Sequence, residues 1–113
     1  MSKTFHHPTL EQISLDRVLH ALSDPLRRQM VVRLLEAPKA TLSCNKACSV
    51  VAPSTLSFHF RILREAGLIE CEKNGTEVRS TLRIKDLETR FPKLLRTIIK
   101  YHEPFCVTGT KKS

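Results

Sequence analysis

A helix bracketed by proline and glycine that runs straight into a hairpin leaves this chain few architectures. Ala52-Pro53-Ser54 puts proline at a first helical position, where its missing N–H is no loss. Leu56, Phe60 and Leu63 then recur on one face, and Gly67 offers a left-handed residue to close a helix of about residues 53–66. Ile69 to Lys73 and Val78 to Ile84 alternate apolar and polar residues around Asn74-Gly75, a strong short-range hairpin signal.

Upstream, Thr9-Leu10-Glu11-Gln12 reads as a T-x-x-Q capping box. Leu15, Val18, Leu19 and Leu22 follow at helical spacing, which predicts a first helix over about residues 10–22. Ser23-Asp24-Pro25 stops it and starts another, with Asp24 as cap. Leu26, Met30, Val31, Leu34 and Leu35 form the stripe of this second helix, Arg27, Arg28 and Arg33 lie off it, and Pro38 ends it. Ser43 is placed to cap a two-turn helix carrying Cys44, Ala47 and Cys48. At the far end Leu87, Phe91, Leu94, Leu95 and Ile98 make a last amphipathic helix, which Pro92 either kinks or restarts after an initial turn. The expected fold is mostly α with one β-hairpin over residues 10–105, between a mobile arm at 1–9 and a basic tail at 106–113.

A chain of 113 residues builds one domain, which excludes a large multidomain enzyme. No apolar run approaches the ~18–20 residues needed to span a bilayer, and the start lacks the apolar middle of a secretory signal, so a cytoplasmic protein without membrane association is expected. In that compartment Cys44, Cys48, Cys71 and Cys106 are expected as free thiols, metal ligands or redox sensors rather than disulfides. A small thiol enzyme would need C-x-x-C or a nucleophile beside an oriented base, and neither is visible; the chain is not expected to be an enzyme. Nineteen Lys and Arg against 11 Asp and Glu, a net charge of +8, call for a polyanionic partner without choosing among DNA, RNA and anionic lipid.

The order of elements makes that choice. A short helix, a tight turn, a capped helix and a basic hairpin form a winged helix-turn-helix, whose second helix enters the major groove of duplex DNA while the wing reaches the adjacent backbone or minor groove. With Leu56, Phe60 and Leu63 buried, Ser54, Ser57, Phe58 and Arg61 share the outward face at i, i+3, i+4, i+7. Serines donate or accept at base edges, Arg61 can grip guanine or phosphate, and Phe58 can lie against a thymine methyl. Lys73, Asn74, Arg79 and Arg83 are the wing's donors, unless they form only a solvated charged face. Arg27 and Arg28 reach phosphate or are an ordinary exposed basic face.

Ala21-Leu22-Ser23-Asp24-Pro25-Leu26-Arg27-Arg28, the run Ser54-Thr55-Leu56-Ser57-Phe58-His59-Phe60-Arg61-Ile62-Leu63-Arg64-Glu65-Ala66-Gly67-Leu68-Ile69 and the Asn74-Gly75 wing resemble the ArsR/SmtB family of bacterial transcriptional repressors. The resemblance spans about residues 10–105. It implies a homodimer paired through its terminal helices, bound to an inverted-repeat operator and released by an inducer. Spare apolar stripe on the first and last helices points to the same two-fold pairing. The DNA-facing set it implies is Ser54, Thr55, Ser57, Phe58, His59 and Arg61, with Lys73, Asn74 and Arg79. For His59, a partly buried packing role stands equally open.

The resemblance leaves the inducer open. The family's terminal-helix zinc site resembles D-x-H followed by a second histidine motif, and this chain offers only Asp86-Leu87-Glu88 and His102-Glu103, so most nitrogen ligands are missing. In place of the family's C-x-C box stands Cys44-Asn45-Lys46-Ala47-Cys48. Thiols at i and i+4 lie about 5–6 Å apart at Cβ, which suits a bridging thiophilic ion better than a disulfide. Cys106 is the candidate third thiolate, so the expected ligand is thiolate-bound arsenite or a soft metal ion, or else the thiols meet reactive sulfur or an oxidant. Incidental thiols remain the plain alternative, and Cys71 is expected only to pack. Two other functions stay open: a winged-helix interaction module that does not bind DNA, and a regulator with no inducer of its own.

Overall fold

The computed structural model describes residues 6–36 and 53–103. The short helix expected at 43–49, with Cys44 and Cys48, and the tail with Cys106 lie outside the described residues. A 3₁₀ turn at Leu10–Gln12 leads to α1 (Leu15–Ala21), α2 (Pro25–Glu36), α3 (Pro53–Glu65), β1 (Ile69–Asn74), β2 (Glu77–Leu82), α4 (Ile84–Arg90) and α5 (Leu94–Lys100). The sequence reading of a mostly α fold with a hairpin holds.

The single helix expected over 10–22 is two elements. Gln12 Oε1 accepts the Thr9 N–H at 2.9 Å and closes one turn. Ile13 then turns extended, and Ser14 caps α1 by accepting from the Arg17 N–H at 3.2 Å. The break lets Ile13 point inward, where it is 1% exposed and its carbonyl accepts from Arg90 Nε at 3.1 Å. A continuous helix would carry Ile13 away from that place. Of the stripe expected on this helix, Val18 and Leu22 are buried, while Leu15 and Leu19 are 44% and 45% exposed.

Asp24 caps α2 as expected, its Oδ1 accepting the N–H groups of Leu26 at 2.8 Å and Arg27 at 3.2 Å. Met30, Val31 and Leu34 of α2 meet Leu56, Phe60 and Leu63 of α3 in one core, which Leu68, Ile69 and Cys71 extend into the hairpin and Leu87 and Leu95 close. At the end of α3 the Leu68 N–H donates to Leu63 O and the Gly67 N–H to Arg64 O, both at 3.0 Å, with Gly67 at φ +88. That paired arrangement is a Schellman cap. It sends the chain directly into β1.

β1 and β2 pair antiparallel from Ile69↔Leu82 to Asn74↔Glu77, so the two turn residues are Gly75 and Thr76. Gly75 takes φ +68, the positive φ that a type II′ turn requires at its first central residue. The second strand ends at Leu82, two residues before the expected end. The Arg83 N–H donates to Leu68 O at 2.8 Å, and Ile84 opens α4 instead of closing the strand. The last helix divides at Pro92. Phe91, before the proline, leaves helical geometry, and Lys93 sits at φ +68 with its N–H donating to Glu88 Oε1 at 3.1 Å before α5 begins.

Candidate nucleic-acid interface

α3 carries the candidate interface because its inner stripe leaves the opposite side free. Leu56 and Leu63 are 1% and 0% exposed, and Phe60 is buried with them. Ser54, Thr55, Ser57, Phe58 and Arg61 are exposed. Ser54, Ser57, Phe58, Arg61 and Arg64 line one open depression of about 420 Å³. Phe58, 52% exposed, is a large apolar side chain held in solvent among polar neighbours. Arg64 is missing from the expected set although it stands seven residues after Ser57, which places it on the same face. Its Nε donates to His6 O at 3.2 Å, so it also ties α3 to the residues before the 3₁₀ turn.

His59 does not join that face. It is 8% exposed, and its Nδ1 lies 3.0 Å from Arg27 Nη1. Of the two roles open for it, the packed one is the one the geometry matches. Burial pushes its pKa below the ordinary histidine value, Asp24 opposes that shift and Arg27 adds to it.

Three arginines read from the sequence as either phosphate contacts or exposed basic residues are likewise engaged within the fold. Arg27 is 5% exposed, and its Nε donates to Ala21 O at 2.7 Å. Arg28 donates from Nη1 to Leu22 O at 2.7 Å and from Nε to His102 Nδ1 at 3.0 Å. Arg83 lies at the base of the wing and not on it: it pairs with Asp86 at 2.8 Å and donates to Pro8 O at 2.9 Å. All three satisfy carbonyls at helix and loop ends, which the guanidinium fork does well because it delivers several donors in fixed directions.

The wing is also less basic than expected. With Arg83 removed, the exposed charged side chains among those described on it are Glu70, Glu72, Lys73 and Arg79, with Arg79 opposite Glu72 across the strands. Asn74 closes β1 beside the turn.

Residues 6–9, within the expected arm, rest against the wing. Pro8 is buried, and His7 Nε2 accepts the Cys71 N–H at 2.9 Å. Cys71 packs as expected, 5% exposed with Sγ 3.5 Å from Ser80 Oγ, and burial pushes its thiol pKa up. Among the described residues no three His, Cys, Asp or Glu side chains gather as metal ligands. Asp86 is engaged by Arg83 and His102 by Arg28. No helix among the described residues is long and apolar enough to cross a membrane.

A helical core, a capped outward-facing helix and an antiparallel wing define the winged helix-turn-helix class of DNA-binding domain. Comparison with known proteins reaches the same class: a family described as a helix-turn-helix domain matches residues 22–72. The chain is 34% identical over 85 residues to the uncharacterized HTH-type transcriptional regulator YceK of Bacillus subtilis (strain 168), covering 73% of this chain and 83% of that protein. The protein belongs to the HTH-type transcriptional regulators and is not an enzyme. Its fold is shared with a crystal structure of an ArsR family transcriptional regulator, at a TM-score of 0.60 and 19% identity, over 88% of this chain and 100% of the other.

Proposed function

We propose that this regulator is a homodimeric, cytoplasmic repressor of the ArsR/SmtB type that covers an inverted-repeat operator and leaves it on a thiol-directed signal. The observation that carries the reading is the depression on α3, where Ser54, Ser57, Phe58, Arg61 and Arg64 converge around one apolar ring. Ser54, Ser57 and Arg61 read base edges or grip phosphate, Phe58 meets a thymine methyl, and Thr55 lies at the margin of the same face. Lys73, Asn74 and Arg79 of the wing reach the flanking backbone, with Glu70 and Glu72 limiting how much they contribute. His59 supports this face from beneath.

Exposed Leu15 and Leu19 on α1, and Tyr101 at 75% exposure after α5, favour pairing of two copies, since such side chains lose their contact with water in a two-fold interface. The sensing part rests on the i, i+4 spacing of Cys44 and Cys48 and on Cys106 near the chain end, which together suit arsenite, a soft metal ion, reactive sulfur or an oxidant.

Selection from random duplexes, with a salt titration on the recovered sequence, tests the DNA reading. The expected result is an inverted repeat with half-sites about 10 bp apart and a slope of log K against log salt near about −5. Recovery of no preferred sequence, or a slope near zero, overturns it. The parent is expected to leave the duplex with arsenite, Cd(II), polysulfide or peroxide, and a Cys44→Ser/Cys48→Ser/Cys106→Ser variant to stay bound. An equal response in both removes the thiol signal.

A further inference from the structure

Arg27 reaches three elements from the first turn of α2. Its Nε donates to Ala21 O at 2.7 Å and its Nη2 to His20 O at 3.4 Å, both at the end of α1, and its Nη1 meets Nδ1 of His59 on α3 at 3.0 Å. A guanidinium has only donors and keeps its charge, so Nδ1 must be the acceptor. The His59 imidazole is therefore neutral, with its proton on Nε2.

A proton added at Nδ1 would turn that acceptor into an N–H aimed at another N–H donor, beside a fixed positive charge, in a place only 8% exposed. Among the described residues, the charged groups acting on His59 are Asp24, which caps α2 and favours the cation, and Arg27, which opposes it. α1 presents carbonyl oxygens to Arg27. His59 adjoins Phe58, their rings 5.3 Å apart and edge-on at 66°, so a shift of the imidazole acts directly on the outward face.

We propose that His59 is an acid-sensitive positioning residue: its neutral imidazole, accepting from Arg27, seats α3 on α2 and aims Ser54, Ser57, Phe58 and Arg61, and its protonation unseats the helix and weakens DNA binding. This rests on the DNA-facing role of α3. The sign of the effect separates it from general electrostatics. The chain has five histidines, and protonating them adds positive charge, which by itself tightens binding to phosphates. The joint acts in the opposite direction.

The test compares the full chain with His59→Asn on the selected duplex at about pH 7.5 and about pH 5.5, at fixed ionic strength, across the range in which histidine titrates. Asparagine Oδ1 takes the place of Nδ1 as acceptor and does not titrate. The parent is expected to lose affinity on acidification, by up to the roughly tenfold that a group titrating below the ordinary histidine value can contribute at about pH 5.5, and the variant to hold or gain affinity. His7 and His102 titrate in both proteins and cancel in the comparison. A parent that holds or gains affinity in acid, or an equal loss in the variant, overturns the proposal.

Imidazole and amide ¹⁵N shifts of the parent without DNA give a second readout, independent of the variant's folding. Protonation of His59 is expected to move the amides of residues 54–65 together; amides that stay in place while His59 titrates overturn the proposal. If no duplex is bound at either pH, the DNA reading fails, and the shifts still decide whether the joint moves α3.

Discussion

Gly67→Ala should destabilise this protein far more than the loss of one glycine in a turn ordinarily does. Gly67 stands at φ +88, which for a residue with a Cβ costs about 1–2 kcal/mol. The added Cβ would also lie 2.6 Å from Ile13 Cγ1 and 2.9 Å from its Cδ1. Ile13 has little freedom to withdraw, being 1% exposed with its carbonyl held by Arg90. Overpacking of that kind adds about 1–3 kcal/mol, for a total of about 2–5 kcal/mol. Gly75→Ala is the control: φ is +68, but a Cβ there meets nothing within 4 Å, so only the backbone part of the cost applies. Urea unfolding of both variants, with the midpoint read at constant slope, measures the difference. A double-mutant cycle with Ile13→Ala should show that Ile13→Ala costs less in the Gly67→Ala background, because the clashing atoms are gone. Equal midpoints for Gly67→Ala and Gly75→Ala would refute the clash.

Phe58→Ala and Arg61→Ala should lower duplex affinity, Arg61→Ala by about 1–3 kcal/mol, while unfolding midpoints move within about 0.5 kcal/mol; a parallel loss of stability would place these side chains inward. Arg83→Ala should do the reverse, costing about 1–3 kcal/mol of stability by freeing Pro8 O and Asp86, with the salt slope of DNA binding unchanged; a slope shallower by about 1 would return Arg83 to phosphate. His7, His59 and His102 are all held below the ordinary histidine value, chiefly by burial, so the native state binds fewer protons than the unfolded chain. Their stabilisation is therefore present above about pH 6.5 and is lost as pH falls through the lowered native values; a midpoint flat between about pH 7 and 5 would contradict these pairings. Cys71, buried with its thiol pKa raised, should resist alkylation in the native protein and react on unfolding, as peptide mapping of the labelled chain would read.

Much of the candidate site was legible because its signals are short-range. Pro53 at the start of α3, the Gly67 closure and the Leu56/Phe60/Leu63 stripe act within one or two helical turns, and they leave Ser54, Ser57, Phe58 and Arg61 on the other face. The Asp24 cap and the Asn74-Gly75 region were readable for the same reason, although the turn itself proved to be Gly75-Thr76. The basic residues were misread where composition stood in for geometry. A surface is the ordinary place for arginine, yet Arg27, Arg28 and Arg83 satisfy carbonyls at helix and loop ends, and their partners are set by how the elements pack.

By itself, then, the sequence determined the presence of the hairpin, the limits of α3 and which of its sides is apolar, since periodicity and capping involve residues three or four apart. Tertiary structure decided what lies across longer separations. Ile13 leaves the first helix because Gly67 and Arg90 make a place for it, the latter 77 residues away. Of the two roles open for His59, the packed one is favoured because Arg27, 32 residues earlier, is brought against it, and Arg28 finds His102 across 74 residues. No local pattern encodes such pairs. Their energy is realised only when packing has removed both partners from water, which is why the same side chains read as surface charge in the sequence and as internal fastenings in the fold.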